Sequence, residues 1–389
     1  MNEAPLAGLK VVELARILAG PWAGQILADL GADVIKIEKP GEGDDTRSWG
    51  PPFVTTAAGE SLGAAYYHGC NRGKRSVALD IATPEGQAVV RELVRDADVL
   101  VENFKVGGLA KYGLDYDSLA KVNPRLVYCS ITGFGQDGPY ASRAGYDLMI
   151  QGLGGIMDLT GEAEGEPQRV GVALVDLFTG VYSVVAIQAA LAERQRSGLG
   201  QRIDMALLDT QTAILSNHAM AYLVTGEAPR RRGNAHPSIV PYQAFACADG
   251  HLILAVGNDG QFRKAMAAID LPDLAADSRY QTNGDRVANR DSLIPAIAAR
   301  LAELPRDALL ARFEAAGVPA GPINTVAQVF ADPQVKHRQM QLELDFEGTR
   351  IPGVRNPLRF SRSPLILDRP APSVGQHTEE VLASLRREP

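Results

Sequence analysis

The 389-residue sequence has few of the residues that stabilise small secreted domains or bind metals. Its three cysteines, Cys70, Cys129 and Cys247, are odd in number and widely spaced, so they predict neither a disulfide framework nor a C-x-x-C site. The sequence has no H-E-x-x-H motif and no His/Cys cluster at ligand spacing, so we predict no metal site. It also has no G-x-S-x-G elbow, which argues against a serine α/β-hydrolase.

The sequence also lacks an excess of positive charge and a long uninterrupted apolar run. Its net charge of −7 argues against non-specific binding to nucleic acid or to an anionic membrane. Residues 1–9 are too polar for a signal peptide, and the most apolar segment, residues 181–192, is too short and interrupted to span a bilayer. We therefore expect a soluble cytoplasmic protein with no nucleic-acid or membrane partner.

Short apolar runs alternate with helical patterns over the first half of the chain. A helix start is marked by Thr83 as N-cap, Pro84 at the first helical position and Glu85 in the first turn. The runs that read as buried strands are residues 10–14, 33–38, 75–80, 98–102, 125–131 and 201–207. Strands that alternate with helices predict an α/β fold with an open parallel sheet.

The pattern changes after residue 224, where periodicity is lost and three successive arginines (230–232) precede His236. Asp249-Gly250 is a strong hairpin signal between runs 242–246 and 251–256, and helices follow. We predict a large domain from residues 1–224 and 328–389 and a small α+β domain from residues 225–327.

A single carboxylate, Asp176, separates an apolar run from a long apolar helix predicted from about Leu177 to Arg196. Aspartate is a favoured N-cap, so an ordinary cap is one interpretation. The other is a nucleophile, because a carboxylate can attack an activated acyl group and needs no general base at an unperturbed pKa of about 3.9.

A formal G-x-G-x-x-G occurs at residues 133–138, but the residues after Gly138 have the composition of a loop and the motif does not lie at the first βα turn. The context of a dinucleotide fold is missing, so NAD binding is not predicted, although such a loop could cradle another ligand.

Three cations, Arg72, Lys74 and Arg75, lie on a turn that leads into a strand. The spacing of the residues around them does not match the P-loop motif. They are either a solvated turn or a phosphate clamp. Lys39 and Lys105 follow other strands, so several cations on one rim favour a polyphosphate ligand.

These segments together resemble the class III CoA-transferases, also called the CaiB/BaiF family. The similarity is carried by residues 9–14, 19–21, 30–38, 71–76, 102–104, 133–136 and by Gly180 after Asp176. Residues 43–54, 143–147 and 238–245 resemble the succinate–hydroxymethylglutarate CoA-transferase branch of that family.

The resemblance implies a Rossmann-like large domain, a small domain and two interlocked subunits in a homodimer. It implies that Asp176 is the nucleophile, with an acyl-CoA and a small carboxylic acid, expected to be a dicarboxylate, as substrates. Carried over by position, the coenzyme A site would consist of Leu18, Ala19, Lys39, Asn71, Arg72, Gly73, Lys74, Arg75, Asn103, Phe104, Lys105, Lys111, Tyr112, Thr132, Gly133, Phe134 and Gly135. Tyr146, Arg232 and His236 are the expected substrate contacts.

Tyr146 discriminates between two functions. Related acyl-CoA racemases have a histidine at this position, 30 residues before the aspartate, and use the pair for acid/base chemistry. A phenol with a pKa of about 10 is a poor base at pH 7, so transfer is favoured over racemisation of a 2-methylacyl-CoA. A CoA-binding subunit without chemistry is the third hypothesis, and the intact Asp176 segment argues against it.

Overall fold

The computed structural model describes residues 3–386, whose strands and helices alternate through the first half of the chain. The strands are β1 (Lys10–Glu13), β2 (Asp33–Glu38), β3 (Phe53–Thr55), β4 (Ser61–Ala64), β5 (Arg75–Ala78), β6 (Val99–Glu102), β7 (Val127–Thr132), β8 (Arg202–Ala206), β9 (Tyr242–Cys247), β10 (Gly250–Ala255), β11 (Ala320–Pro322), β12 (Gln341–Phe346) and β13 (Thr349–Val354). The helices are α1 (Ala19–Asp29), α2 (Ala65–Cys70), α3 (Pro84–Arg95), α4 (Tyr116–Val122), α5 (Asp147–Leu153), α6 (Ile156–Leu159), α7 (Leu174–Ser197), α8 (Leu207–Ile214), α9 (Ser216–Thr225), α10 (Asp259–Ala268), α11 (Pro272–Ala276), α12 (Asn283–Ala288), α13 (Arg290–Ala302), α14 (Arg306–Ala316), α15 (Val326–Ala331), α16 (Pro333–His337) and α17 (Thr378–Leu385).

Six strands form one parallel sheet in the order β5-β2-β1-β6-β7-β8. Its apolar strand residues are buried because helices cover both faces, as a parallel sheet requires. The predicted α/β fold with an open parallel sheet is confirmed. The chain order reverses between β1 and β6, so their carboxyl ends form the crevice in which such folds bind ligands.

Local signals placed several elements correctly. The Thr83 hydroxyl accepts a hydrogen bond from the Gly86 N–H at 3.1 Å and caps α3. The predicted Asp-Gly hairpin joins β9 and β10. The short β3–β4 pair was not predicted from the sequence, because strands of three or four residues carry too little periodicity.

Helix α7 is longer than the sequence pattern indicated. Its 24 residues are long and apolar enough to cross a membrane by length and composition alone, so the prediction that this segment is too short is wrong. It begins at Leu174 instead of near Leu177. Val175, Val184, Ile187 and Leu191 on this helix are buried in the same core as the apolar residues of α1 and the sheet.

The chain divides into two compact units. The first comprises the described residues of Met1–Ile156, Arg169–Leu223 and Pro333–Pro389, and the second comprises Met157–Gln168 and Val224–Asp332. The second unit has a core between the antiparallel sheet β11-β10-β9 and helices that include α10, α13 and α14.

Residues 157–168 group with the second unit, whereas the sequence pattern predicts them in the large domain. The reason is a set of contacts made by the arginine-rich segment. The Arg231 guanidinium pairs with the Asp158 carboxylate at 3.1 Å, and the Gly233 N–H donates to the Gly161 carbonyl at 3.1 Å.

Candidate active site

A cavity of about 450 Å³ lies in the first unit at the crevice between the carboxyl ends of β1 and β6. The segment after β1 contributes Arg16 to Ala19, and the segment after β6 contributes Asn103 to Val106. Asp176, near the start of α7, lines the cavity together with Tyr146 and Gly145. The topology therefore brings Asp176 to the place where an open α/β sheet binds its ligand.

Asp176 does not cap its helix, so the N-cap interpretation is wrong. The helix begins at Leu174, which makes Asp176 the third helical residue, and the cap position is Ala173, which offers no side-chain oxygen. The cap comes from Asp147 at the start of α5. One Asp147 oxygen accepts the Val175 N–H at 2.8 Å and the Asp176 N–H at 3.3 Å.

Gln151 ties Asp147 to the segment that leads into α7. Its side-chain amide donates to the second Asp147 oxygen at 2.7 Å, and its carbonyl oxygen accepts the Val170 N–H at 2.9 Å. Because Gln151 is fully buried, it holds Asp147 and the approach to α7 in one arrangement. The backbone of Asp176 is thus fixed by a neighbouring helix, while its carboxylate stays directed at the cavity that it lines.

Burial raises the pKa of Asp176 from its ordinary value of 3.8 to about 7, and the nearby negative charge of Asp147 adds to the effect. The expectation of an unperturbed, fully ionised carboxylate is therefore wrong. A carboxylate that is poorly solvated is a stronger nucleophile, because less hydration must be removed before it attacks. Near neutral pH a large fraction of Asp176 is still ionised.

Tyr66, on α2, lies near this carboxylate. Burial, and then the negative charge of Asp176, raises the pKa of Tyr66 to about 12. The phenol therefore keeps its proton at neutral pH and is available as a hydrogen-bond donor. Its ring packs edge-on against Trp49 at a centroid distance of 5.5 Å.

The structure brings most of the predicted site residues together. Those that line the cavity with Asp176 are Leu18, Ala19, Asn103, Phe104, Lys105, Lys111, Tyr112, Thr132, Gly133 and Tyr146. Lys105 and Lys111 are exposed cations of this lining, and the Lys111 ammonium lies 4.6 Å from the centre of the Tyr112 ring. Tyr146 is 61% exposed, so its hydroxyl is accessible to a ligand in the cavity.

Lys39 lies in a smaller cavity of about 200 Å³ that shares Arg16, Phe104 and Tyr112 with the larger one. The smaller cavity has an apolar wall from Leu14, Ile37, Leu79 and Ile81. The two cavities together therefore offer an apolar slot next to a cation-lined channel.

Arg72 and Lys74 are not part of a cationic rim. Both are 3% exposed, and each neutralises a buried carboxylate. The Arg72 guanidinium pairs with Asp29 at 2.7 Å, and the Lys74 ammonium pairs with Glu13 at 2.9 Å. The prediction that their charges face a phosphate is wrong, because each charge already serves an internal carboxylate.

The neighbours of these two cations are also engaged. The Asn71 side-chain oxygen accepts a hydrogen bond from Lys74 at 2.9 Å, and Gly73 adopts a φ of +81° at the turn. Arg75, half-buried, donates to Asp33 at 2.8 Å and pairs with Glu380 at 3.2 Å. None of Asn71 to Arg75 lines the cavity that contains Asp176.

The loop after β7 lies partly in the cavity. Gly133 packs directly on Gly145, where a Cβ would come within 2.6 Å of the Gly145 Cα atom. Gly135 has a φ of +89° and Phe134 packs against Tyr140, and both lie outside the cavity lining. The continued loop after Gly138 is confirmed.

The remaining predicted contacts, Arg232 and His236, belong to the second unit. The His236 ring lies 5.4 Å from that of Tyr242, and the Arg290 guanidinium donates to the Pro237 carbonyl at 2.6 Å. Their assignment as substrate contacts stays a prediction.

Sequence reasoning missed three residues of the site: Asp147, Arg16 and Arg143. Asp147 was adjacent to a singled-out tyrosine, but its role depends on α5 meeting α7 across 29 positions. Arg16 and Arg143 line the cavity from loops without periodicity. The Arg143 guanidinium lies 3.9 Å from the centre of the Tyr140 ring.

Comparisons with known proteins agree over nearly the whole chain. Residues 6–378 match the family described as CoA-transferase family III. The chain is 58% identical to a succinate–glutarate CoA-transferase of Agrobacterium fabrum, over 99% of this chain and 96% of the relative. It is 44% identical to the human succinyl-CoA:glutarate CoA-transferase, over 99% of this chain and 87% of the relative.

A solved structure has the same fold. The crystal structure of a CAIB/BAIF family protein from Brucella suis superposes with a TM-score of 0.88 at 59% sequence identity, and the match covers 99% of this chain and all of that one.

Proposed function

The chain belongs to CoA-transferase family III, and on that basis we propose that it transfers CoA from succinyl-CoA to a small dicarboxylate such as glutarate, with Asp176 as the nucleophile. The observation that carries the proposal is the position of Asp176. Its carboxylate lines a cavity that exposed cations also line, and a second cavity with apolar lining adjoins it.

Coenzyme A fits these surroundings by its chemistry. Lys105 and Lys111 would pair with its phosphates, and the slot that contains Lys39 would take the adenosine end. Binding energy gained there, far from the reacting thioester, can be used to hold the thioester against Asp176. The buried cluster around Arg72 and Lys74 supports the fold beneath this site without contributing charge to it.

The reaction would proceed through two kinds of covalent intermediate, an aspartyl-acyl anhydride, formed first with the donor and later with the acceptor, and an aspartyl-CoA thioester between them. Asp176 attacks the thioester carbonyl of the donor, which forms an aspartyl-acyl anhydride and releases CoA thiolate. The thiolate attacks the aspartyl carbonyl of that anhydride, which forms an aspartyl-CoA thioester and frees the donor acid. The acceptor carboxylate then attacks the aspartyl thioester, and the returning thiolate takes the acceptor acyl group and regenerates Asp176.

The distal carboxylate of a dicarboxylate requires a cation. We include Arg232 and His236 of the second unit as substrate contacts, together with Tyr146, because the loop carries charge and hydrogen-bond donors. Replacing Arg232 by alanine should then raise the KM for glutarate more than the KM for succinyl-CoA.

We further propose that the active form is a cytoplasmic homodimer. Phe178, Val181, Tyr182 and Val185 of α7 and Leu153 of α5 are large apolar side chains that are exposed on one chain, as residues of a subunit interface would be. The free thiols of Cys70 and Cys129 suit a reducing compartment. Light scattering should give twice the mass of one chain, and a monomeric mass would overturn the dimer.

The central test is chemical trapping. Incubation with succinyl-CoA and hydroxylamine should convert Asp176 into a hydroxamate, detected by peptide mass spectrometry. Asp176→Ala should abolish transfer and still bind CoA, whereas Asp209→Ala, at the same position in helix α8 but exposed, should transfer normally.

A label on another residue, or normal transfer by Asp176→Ala, contradicts the mechanism. Incorporation of deuterium from solvent at the α-carbon of a 2-methylacyl-CoA would instead indicate the racemase chemistry that Tyr146 argues against.

A further inference from the structure

Several backbone polar atoms of residues 14–18, the segment that joins β1 to α1, are held by hydrogen bonds from distant parts of the chain. The Ala15 carbonyl accepts from the Lys36 ammonium at 2.8 Å, and Asn103 binds both the N–H and the carbonyl of Arg16, at 2.9 and 2.7 Å. The Leu14 N–H donates to the Val101 carbonyl at 2.8 Å. Residues 16–18 of this segment line the same cavity as Asp176.

Ile17 lies in the middle of this segment with a φ of 72°. A β-branched residue in the left-handed region is a true outlier, because its side chain crowds the following carbonyl. Such backbone conformations persist only where the surroundings enforce them, and they cluster at functional sites.

The group that binds the Ile17 N–H is Asp44. Both of its oxygens lie within hydrogen-bond reach of the Ile17 N–H, at 3.2 and 3.3 Å. Asp44 is 1% exposed and is itself held by the Lys36 ammonium at 2.9 Å and by the Thr46 hydroxyl at 2.7 Å. The Lys36 ammonium also pairs with a Glu13 carboxylate oxygen at 3.0 Å.

Asp44 keeps its charge throughout the range in which the enzyme would work. Burial alone would raise its pKa, but the Lys36 charge and the Thr46 N–H outweigh burial and lower the pKa to about 2. Burial likewise opposes the charge of Lys36, but Glu13, Asp44 and Glu38 raise its pKa above the ordinary value. Asp44 and Lys36, which we call the clamp, therefore form a buried ion pair that does not titrate near neutral pH.

Helix α7 packs tightly against the residue that follows this segment. A Cβ at Gly180, one turn beyond Asp176, would come within 2.7 Å of the Ala19 carbonyl oxygen. This close approach joins residues 16–19 to the helix that carries Asp176.

We propose that Asp44 is a positioning residue for CoA transfer, which holds Ile17 in its strained conformation so that residues 16–19 keep the thioester aligned with Asp176. Asp44 does not touch the substrate. Its loss should lower kcat, because misplacement of reacting groups is costly, and leave the KM for succinyl-CoA little changed.

The test is a double-mutant cycle between Asp44→Asn and Ile17→Gly. Asp44→Asn should lower kcat on the order of a hundredfold. Glycine adopts a positive φ without strain, so it no longer needs the clamp. Adding Ile17→Gly should therefore restore kcat of the Asp44→Asn variant to within about tenfold of the unmodified enzyme.

Glu347→Gly is the matched control, since Glu347 also has a positive φ, of 49°, but lies on the exposed β12–β13 turn. Alone it should leave activity unchanged, and it should not rescue Asp44→Asn. If Asp44→Asn does not fold, Thr46→Val removes one hydrogen bond to Asp44 and should give a smaller fall in kcat that Ile17→Gly also reverses.

The use of succinyl-CoA and glutarate as substrates rests on the proposed function. The double-mutant cycle is therefore also measured with the free energy of unfolding, which does not depend on the substrates. If the unmodified enzyme does not transfer between these two, the substrate proposal fails while non-additive unfolding free energies of the two variants still support the clamp. Additive free energies, unchanged kcat in Asp44→Asn, or no rescue by glycine overturn it.

Discussion

Replacing Asp176 by asparagine should stabilise the first unit at pH 8 while abolishing CoA transfer. Burial, followed by the charge of Asp147, raises the pKa of this carboxyl from 3.8 to about 7. A shift of about three pKa units corresponds to about 4 kcal/mol of unfavourable free energy when the group is ionised. As the third residue of α7, Asp176 regains about 0.3–1 kcal/mol from the helix dipole, so a net gain of about 3 kcal/mol is expected.

The sign of the pH dependence follows from the raised pKa. Between pH 3.8 and about 7 the folded protein holds a proton on Asp176 that the unfolded chain has lost. The stability contributed by the protonated group is therefore complete below pH 3.8 and lost as the pH rises through about 7. Asparagine does not titrate, so its advantage should be absent near pH 4 and complete at pH 8.

Urea unfolding followed by tryptophan fluorescence can measure this difference, because Trp22 and Trp49 both lie in the first unit. The control is Asp209→Asn, an exposed carboxyl at the third position of α8, which should change stability by less than about 1 kcal/mol. Equal stability of Asp176→Asn and the unmodified protein at pH 8, or a difference independent of pH, would refute the reasoning.

Activity gives a second reading of the same shift. The ionised form is the nucleophile, so kcat/KM should rise with an apparent pKa of about 7. Asp147→Asn removes the like charge and should move that apparent pKa to lower pH. Its amide oxygen can still accept the Val175 N–H, but the Gln151 amide loses its acceptor, so kcat should fall as well.

Two further substitutions probe the packing beneath the site. Gly180→Ala forces α1 and α7 apart, because the added Cβ would lie 2.7 Å from the Ala19 carbonyl oxygen. The free energy of unfolding in urea should fall by about 1–3 kcal/mol. A fall within error of zero would contradict the close approach. Arg72→Met leaves Asp29 buried without its cation and should lower the free energy of unfolding by about 3–5 kcal/mol. The KM for succinyl-CoA should be unchanged in the folded protein. A raised KM without lost stability would instead favour a phosphate contact of Arg72.

Several features of this protein could be predicted from the sequence because they depend on local order. Apolar strands that alternate with helices along the chain predict a parallel sheet with helices on both faces. The Thr83 cap and the Asp249-Gly250 turn depend only on residues a few positions apart. The combination of segments around Asp176 also indicated the family, since matched motifs remain visible in the linear sequence.

The tertiary structure alone decided which charges are available for chemistry. Arg72 and Lys74 look like a solvated cationic turn until Asp29 and Glu13, 43 and 61 positions away, are folded against them. In the same way, the cap of α7, the raised pKa of Asp176 and the strain at Ile17 come from Asp147 and Asp44, which reach these residues through space. The physical reason is that solvation and ion pairing depend on distance in the folded state, which spacing along the chain does not encode.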